Sequence, residues 1–183
     1  MGTRTLTGVL TLGAATALAG AAQAQSTAVT SGEARASIVR TISVASQTPL
    51  AFGVIAPLDE SDITVTVTPE GDISSSAPGS LLPSVVSAGG FEVAGDPDRI
   101  YFVDLPETIT LTAGEGNDSM TVSNLQFECE LVDGGNNDLV SGDSCQLGAD
   151  GRQRFNVGGT LTVGAAQDPG DYSGFYSVTA RYQ

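Results

Sequence analysis

Six consecutive β-branched residues, Ile63-Thr64-Val65-Thr66-Val67-Thr68, alternate apolar and polar along the chain. Such side chains are stiff at χ1; they fit a pleated surface and suit a helix poorly. Successive strand residues point to opposite faces, so the run offers one face to a core and the other to solvent. Similar short runs predict strands over residues 35–44, 50–55, 63–69, 72–76, 90–94, 99–105, 108–112, 119–130, 153–163 and 173–182. Turn signals separate them, among them Pro69-Glu70-Gly71-Asp72, Gly95-Asp96-Pro97-Asp98, Gly114-Glu115-Gly116-Asn117-Asp118 and Asp168-Pro169-Gly170-Asp171. Beyond the first 24 residues no window carries a 3.6-residue apolar period. The pattern predicts an all-β, antiparallel, immunoglobulin-like sandwich. Residues 74–87, rich in Ser, Pro and small side chains, read as a long surface loop.

The first 24 residues follow another logic. Arg4 precedes an Ala- and Leu-rich run over residues 9–22, which closes on Ala22-Gln23-Ala24. A basic start, a short apolar stretch and a small-x-small site together predict a secretory signal peptide, residues 1–24. No cysteine follows that site, so no lipid anchor is expected. Residues 25–183 are then one exported domain with a short polar arm, 25–32, and no membrane span. The expected destinations are the periplasm, the cell surface or the medium.

Charge narrows the partners. Lys and His are absent, and residues 25–183 hold 21 acidic residues against six arginines, a net charge of −15. That surface repels phosphate backbones and anionic lipid, which argues against nucleic-acid and membrane binding. Cys129 and Cys145 are the only cysteines. In an oxidising compartment they predict one structural disulfide; their spacing is not that of a C-x-x-C redox pair.

The last residues, Gly170 to Gln183, place Tyr176, Val178, Ala180 and Tyr182 on one face of a strand. Ser177, Thr179, Arg181 and Gln183 fall on the other. A chain ending on such a strand must pair its edge and cover its apolar face, from within or from another molecule.

Two resemblances bear on this region. Phe155-Asn156-Val157-Gly158-Gly159-Thr160-Leu161-Thr162-Val163, with Gln167, Gly170 and Tyr172-Ser173-Gly174, resembles a group of secreted bacterial proteins known only as a domain of unknown function (forty-four-oh-two). Pro49-Leu50-Ala51-Phe52-Gly53-Val54-Ile55 and Gly90-Phe91-Glu92-Val93-Ala94-Gly95 are similar to its earlier blocks. The C-terminal pattern also resembles chaperone–usher pilins and spore-coat U type subunits. Counted back from Gln183, Gly170 is the fourteenth residue and Tyr182 the second, with Ala180, Val178 and Tyr176 fourth, sixth and eighth. That resemblance implies a fimbrial, non-catalytic subunit whose Gly170, Tyr176, Val178, Ala180 and Tyr182 serve strand pairing. It also implies a periplasmic chaperone and like subunits as partners, held by strand addition. A donor strand would have to precede the first strand. The arm offers only Ala28 and Val29, whereas residues 34–44 place Ala36, Ile38, Ile42 and Val44 on one face, interrupted by Arg40. Residues 34–44 are either that donor or the domain's own first strand. The pilin disulfide pattern is not matched by Cys129 and Cys145.

Chemistry has few footholds. Without His or Lys, general-base, Schiff-base and triad arrangements lack their usual members, and no G-x-S-x-G elbow occurs. Asp133-Gly134-Gly135-Asn136-Asn137-Asp138, with Asp143 and Asp150, has the oxygen content of a calcium loop but not its spacing. The expectation is therefore no catalysis, no cofactor and no metal. The alternative function is a self-complete secreted module recognising a glycan or an envelope partner through loops 74–87 and 133–143.

Overall fold

The computed structural model describes residues 28–56, 61–114, 118–130 and 144–183. The expected signal peptide, residues 1–24, and the loop 133–143 lie outside them. The chain separates into two units, Met1–Ser37 and Ile38–Gln183. In the first, the described residues 28–37 are exposed and carry no regular secondary structure.

The second unit is all-β and antiparallel, with no helix among the described residues. The largest sheet contains β1 (Ser43–Thr48), β3 (Ile63–Val67), β4 (Ile73–Ser75), β6 (Gly89–Ala94), β8 (Ile109–Ala113), β9 (Ser119–Cys129), β11 (Arg152–Val163) and β12 (Tyr172–Ser173). Its main path runs β1-β6-β11-β9-β8-β12. A three-stranded sheet runs β10 (Ser144–Gln146), β7 (Ile100–Asp104), β13 (Thr179–Tyr182), and β2 (Val54–Ile55) pairs with β5 (Leu81–Leu82).

β11 organises the large sheet. Along one edge, Arg152 to Val157 pair with β6 and Gly159 to Val163 pair with β3; along the other edge it pairs with β9. The change of partner falls at Gly158, where a Cβ would lie 2.4 Å from the Val67 carbonyl oxygen. Opposite it, β9 carries a bulge: two residues, Asn124 and Leu125, face the single Gly159, and Asn124 takes φ +50°. Asn tolerates that left-handed conformation. The extra residue aims Leu125 at both halves of the core.

One half of the core gathers Ile63, Val65, Val67, Ile109, Val122, Leu161 and Val163. The other packs Phe91, Val93, Phe155 and Val157 of the large sheet against Tyr101, Val103 and Cys145 of the smaller one and Leu147 just after it. Phe155 stacks on Phe91 with centroids 5.3 Å apart and meets Phe127 edge-on at 5.8 Å. Cys129 at the end of β9 is disulfide-bonded to Cys145 in β10, tying the two sheets together.

The strand pattern departs from the sequence reading in several places, among them an unexpected short strand at Ser144–Gln146 and an expected strand 50–55 reduced to Val54–Ile55. The first strand starts at Ser43 rather than residue 35. Ser43 pairs with Ala94, the last residue of β6, so the chain before it has no ladder to join. Residues 74–87 are not one loop: Ile73–Ser75 pairs with β3, Leu81–Leu82 pairs with β2, and Ser87 bridges to Ala51. Buried Ser80 is satisfied by the Ser75 hydroxyl at 2.9 Å. The final strand is split, as described below.

Replacing Cys129 and Cys145 together by Ser should cost about 3 kcal/mol of unfolding free energy, the loop-closure value for a separation of this size. Urea denaturation of the oxidised protein and the double variant checks it; unchanged midpoints would mean that sheet packing alone sets the stability.

Candidate functional site: the seam along the last strand

The C-terminal segment forms two short ladders with a gap between them. Tyr172 and Ser173 pair with Ala113 and Thr112 of β8; Thr179 to Tyr182 pair with Asp104 to Tyr101 of β7. The gap at 174–178 faces the corner 105–108, where Pro106 has no N–H to donate. Gly174 makes the crossing possible, because a Cβ there would lie 2.2 Å from the Thr110 carbonyl oxygen. A single strand over 173–182 is therefore replaced by two pieces in two sheets. Expected alternation survives the break. Tyr176, Val178, Ala180 and Tyr182 all turn toward the aromatic half of the core, while Ser177, Thr179, Arg181 and Gln183 are exposed.

Burial along this strand is incomplete. All four inward residues are only half-buried, in contrast to Tyr101 and Val103 on the neighbouring β7. β12 and β13 are terminal strands of their sheets, so each keeps one edge without a ladder among the described residues. β1 is likewise terminal, and it approaches β13 without pairing to it. Ile42 and Val44 reach the same half of the core from that side. The result is a seam between the first and last strands.

At one end the seam opens into a cleft of about 840 Å3, bounded by residues 49–56 and 167–174. Leu111, Met120, Leu161 and Val163 contribute apolar wall from β8, β9 and β11. Its rim loop is braced by Tyr172, whose hydroxyl accepts from Gln167 Nε2 at 2.8 Å and donates to the Asp168 carbonyl at 2.8 Å. Val54, Val85 and Phe175, all strongly exposed, lie in or next to these rim segments. Gly170 is exposed on the same rim, where a Cβ would meet only the Tyr172 ring at 3.9 Å. Nothing in the packing requires glycine at 170; Gly174 carries the steric demand.

Midway along the seam, Tyr176 lays its ring edge-on against Phe91, 5.9 Å between centroids, with its hydroxyl over Gly89. At the other end Tyr182 is hydrogen-bonded on both sides: its hydroxyl accepts from Asp96 N–H at 2.7 Å and donates to the Arg40 carbonyl at 2.9 Å. Arg181 pairs with Asp104 at 2.9 Å on the outer face.

Ile38 is 97% exposed and Val39 40% exposed, and neither belongs to a strand. Sequence reasoning missed the cleft because its wall comes from strands far apart in the chain; the adjacent Leu50-Ala51-Phe52 run was its only local trace.

The acidic loop Asp133–Asp143, which has the oxygen content of a calcium loop but not its spacing, lies outside the described residues. Asp150, its outlying member, accepts a hydrogen bond from Arg152 N–H at 2.9 Å. No cluster of three or more metal-ligating side chains occurs among the described residues.

Residues 42–182 match a family described as a domain of unknown function, DUF4402. The chain belongs to this family. The match begins one residue before β1, so it takes in all three sheets, the disulfide and the whole seam, while residues 28–41 precede it. No curated protein matches the sequence.

Burial raises the hydroxyl pKa of Tyr176 to about 12 and pushes that of Tyr101 up as well, from the ordinary value of 10.0. A raised folded pKa means the folded state holds its proton longer. These two groups therefore contribute fully below pH 10 and progressively lose that contribution above it. Urea midpoints should fall from about pH 10 upward, and Tyr176→Phe should flatten part of that slope; parallel profiles would show that Tyr176 ionises freely in the folded protein.

Proposed function

We propose that this DUF4402 protein is an exported, non-catalytic structural subunit that assembles by β-strand addition along the seam. The observation that carries the reading is an unfinished strand edge whose apolar side chains are half-covered, beside a chain segment with exposed apolar residues that no sheet of its own takes up. Strand addition supplies backbone hydrogen bonds to such an edge and places alternate side chains in the apolar groove. An unpaired edge and exposed apolar residues are both association-prone, and a fold that keeps them together favours a use for them.

Within this reading, residues 34–41 are the donor segment of one subunit, and the cleft end of the seam receives it in another, while Ile42 stays packed against its own core. Such a contact is head-to-tail, so it propagates into an open filament, or into a ring where its rotation closes, rather than an isologous dimer. The pilin-like, immunoglobulin-like sandwich and a periplasmic chaperone as first occupant of the edge belong to the same proposal. The Cys129–Cys145 disulfide fits an oxidising, extracytoplasmic setting.

A second reading, a self-complete binding module for a glycan or envelope partner, draws on Tyr176 and Tyr182 already filling part of the seam. Its cleft lies in the size range of ligand pockets.

Three proteins separate the two: the chain from Gln25, the same chain starting at Ile42, and Val178→Asp. The subunit reading expects the first to form polymers by light scattering and electron microscopy. The shortened chain should stay monomeric and bind a synthetic peptide of residues 33–42, and Val178→Asp should be exported but fail to assemble. Cooperative melting of all three as monomers that ignore the peptide would reject strand addition and favour the binding module.

A further inference from the structure

The seam is not uniformly open. At the cleft end, residues 49–56 and 167–174 stand apart; at the other end, Tyr182 joins three segments. Its hydroxyl accepts a hydrogen bond from the Asp96 N–H of the turn after β6 and donates one to the Arg40 carbonyl, on the far side of the seam. Its ring lies beneath the Arg99 guanidinium, 5.8 Å from the centroid. The site is cut to fit: a Cβ on Gly95 would sit 2.3 Å from the Tyr182 hydroxyl oxygen and 3.0 Å from Leu147 Cδ1.

We propose that Tyr182 is an autoinhibitory latch that holds the first and last strands together, so that a partner strand enters at the cleft and must break the latch to seat fully. The inhibitory role rests on the strand-addition reading; the latch itself does not. Arg40 lies three residues before β1, where the exposed segment joins the sheet, and its carbonyl is a backbone acceptor that strand pairing would otherwise use. Tyr182 occupies that acceptor. A hydroxyl satisfied on both sides also resists rotation, since either departure leaves a backbone group to find water. The second-last aromatic of the chain thus has its polar tip engaged within its own domain.

Two variants break the latch from opposite sides. Tyr182→Phe keeps the ring and removes both hydrogen bonds; Gly95→Ala leaves Tyr182 intact and expels its hydroxyl from the notch. Hydrogen exchange of the exported protein should speed up about tenfold in peptides covering 38–48 and 178–183 in both variants, with the β9–β11 ladder unchanged. Unchanged exchange in those peptides, or equal acceleration everywhere, would overturn the latch. Capture of a peptide of residues 33–42 should also become several-fold faster in both variants, and capture no faster than in the parent would overturn the inhibitory role. Local acceleration in a protein that captures no strand at all leaves the latch standing and removes the assembly reading together with its inhibition.

Discussion

One constraint underlies this molecule: β11 must satisfy three strands at once. Its twelve residues pair with β6 and then β3 on one edge, and Phe155 to Thr162 pair with β9 on the other. Both halves of the core depend on its inward side chains, Phe155 and Val157 in one and Leu161 and Val163 in the other. The Gly158-Gly159 pair lets the partner change without a break, because backbone from β3 and side chains from the β9 bulge occupy the space that two Cβ atoms would need. Such ladders are non-local, so the strand folds only when distant segments arrive together.

A full central strand leaves the unpaired edges elsewhere. Among the described residues they include β1 at the start of the sheet domain and β12 and β13 at its end, with β4 and β10 as further terminal strands. The corner at Pro106 sends β7 and β8 into different sheets, and the C-terminal segment follows both. The same corner thus splits the last strand and spreads the seam into a cleft at one end. Tyrosine hydroxyls manage the consequences: Tyr172 braces the rim, while Tyr182 closes the narrow end. Tyr101, by contrast, is wholly buried with no partner for its hydroxyl among the described residues.

Much of this was legible in the chain. The β-branched run at 63–68 became β3 with its inward face buried, and the alternation of Tyr176, Val178, Ala180 and Tyr182 holds in three dimensions. The disulfide followed from there being two cysteines. The errors have a common origin. Residues 35–42 alternate as well as many strands do, yet β6 ends opposite Ser43 and leaves them no partner. Leu81-Leu82 and Ser144-Cys145-Gln146 are too short to carry a pattern, yet each becomes a strand because an edge is waiting for it.

The sequence by itself determined the antiparallel all-β class, the cysteine pair and which face of the last segment turns inward. These are consequences of local period and composition, and a two-residue period survives whatever the strand pairs with. Tertiary structure alone decided where the first strand begins, that the last one divides between two sheets, and that the seam between them opens at Tyr172 and closes at Tyr182. Those features depend on which edges remain unpaired after β11 is satisfied, a quantity that no single stretch of the chain contains.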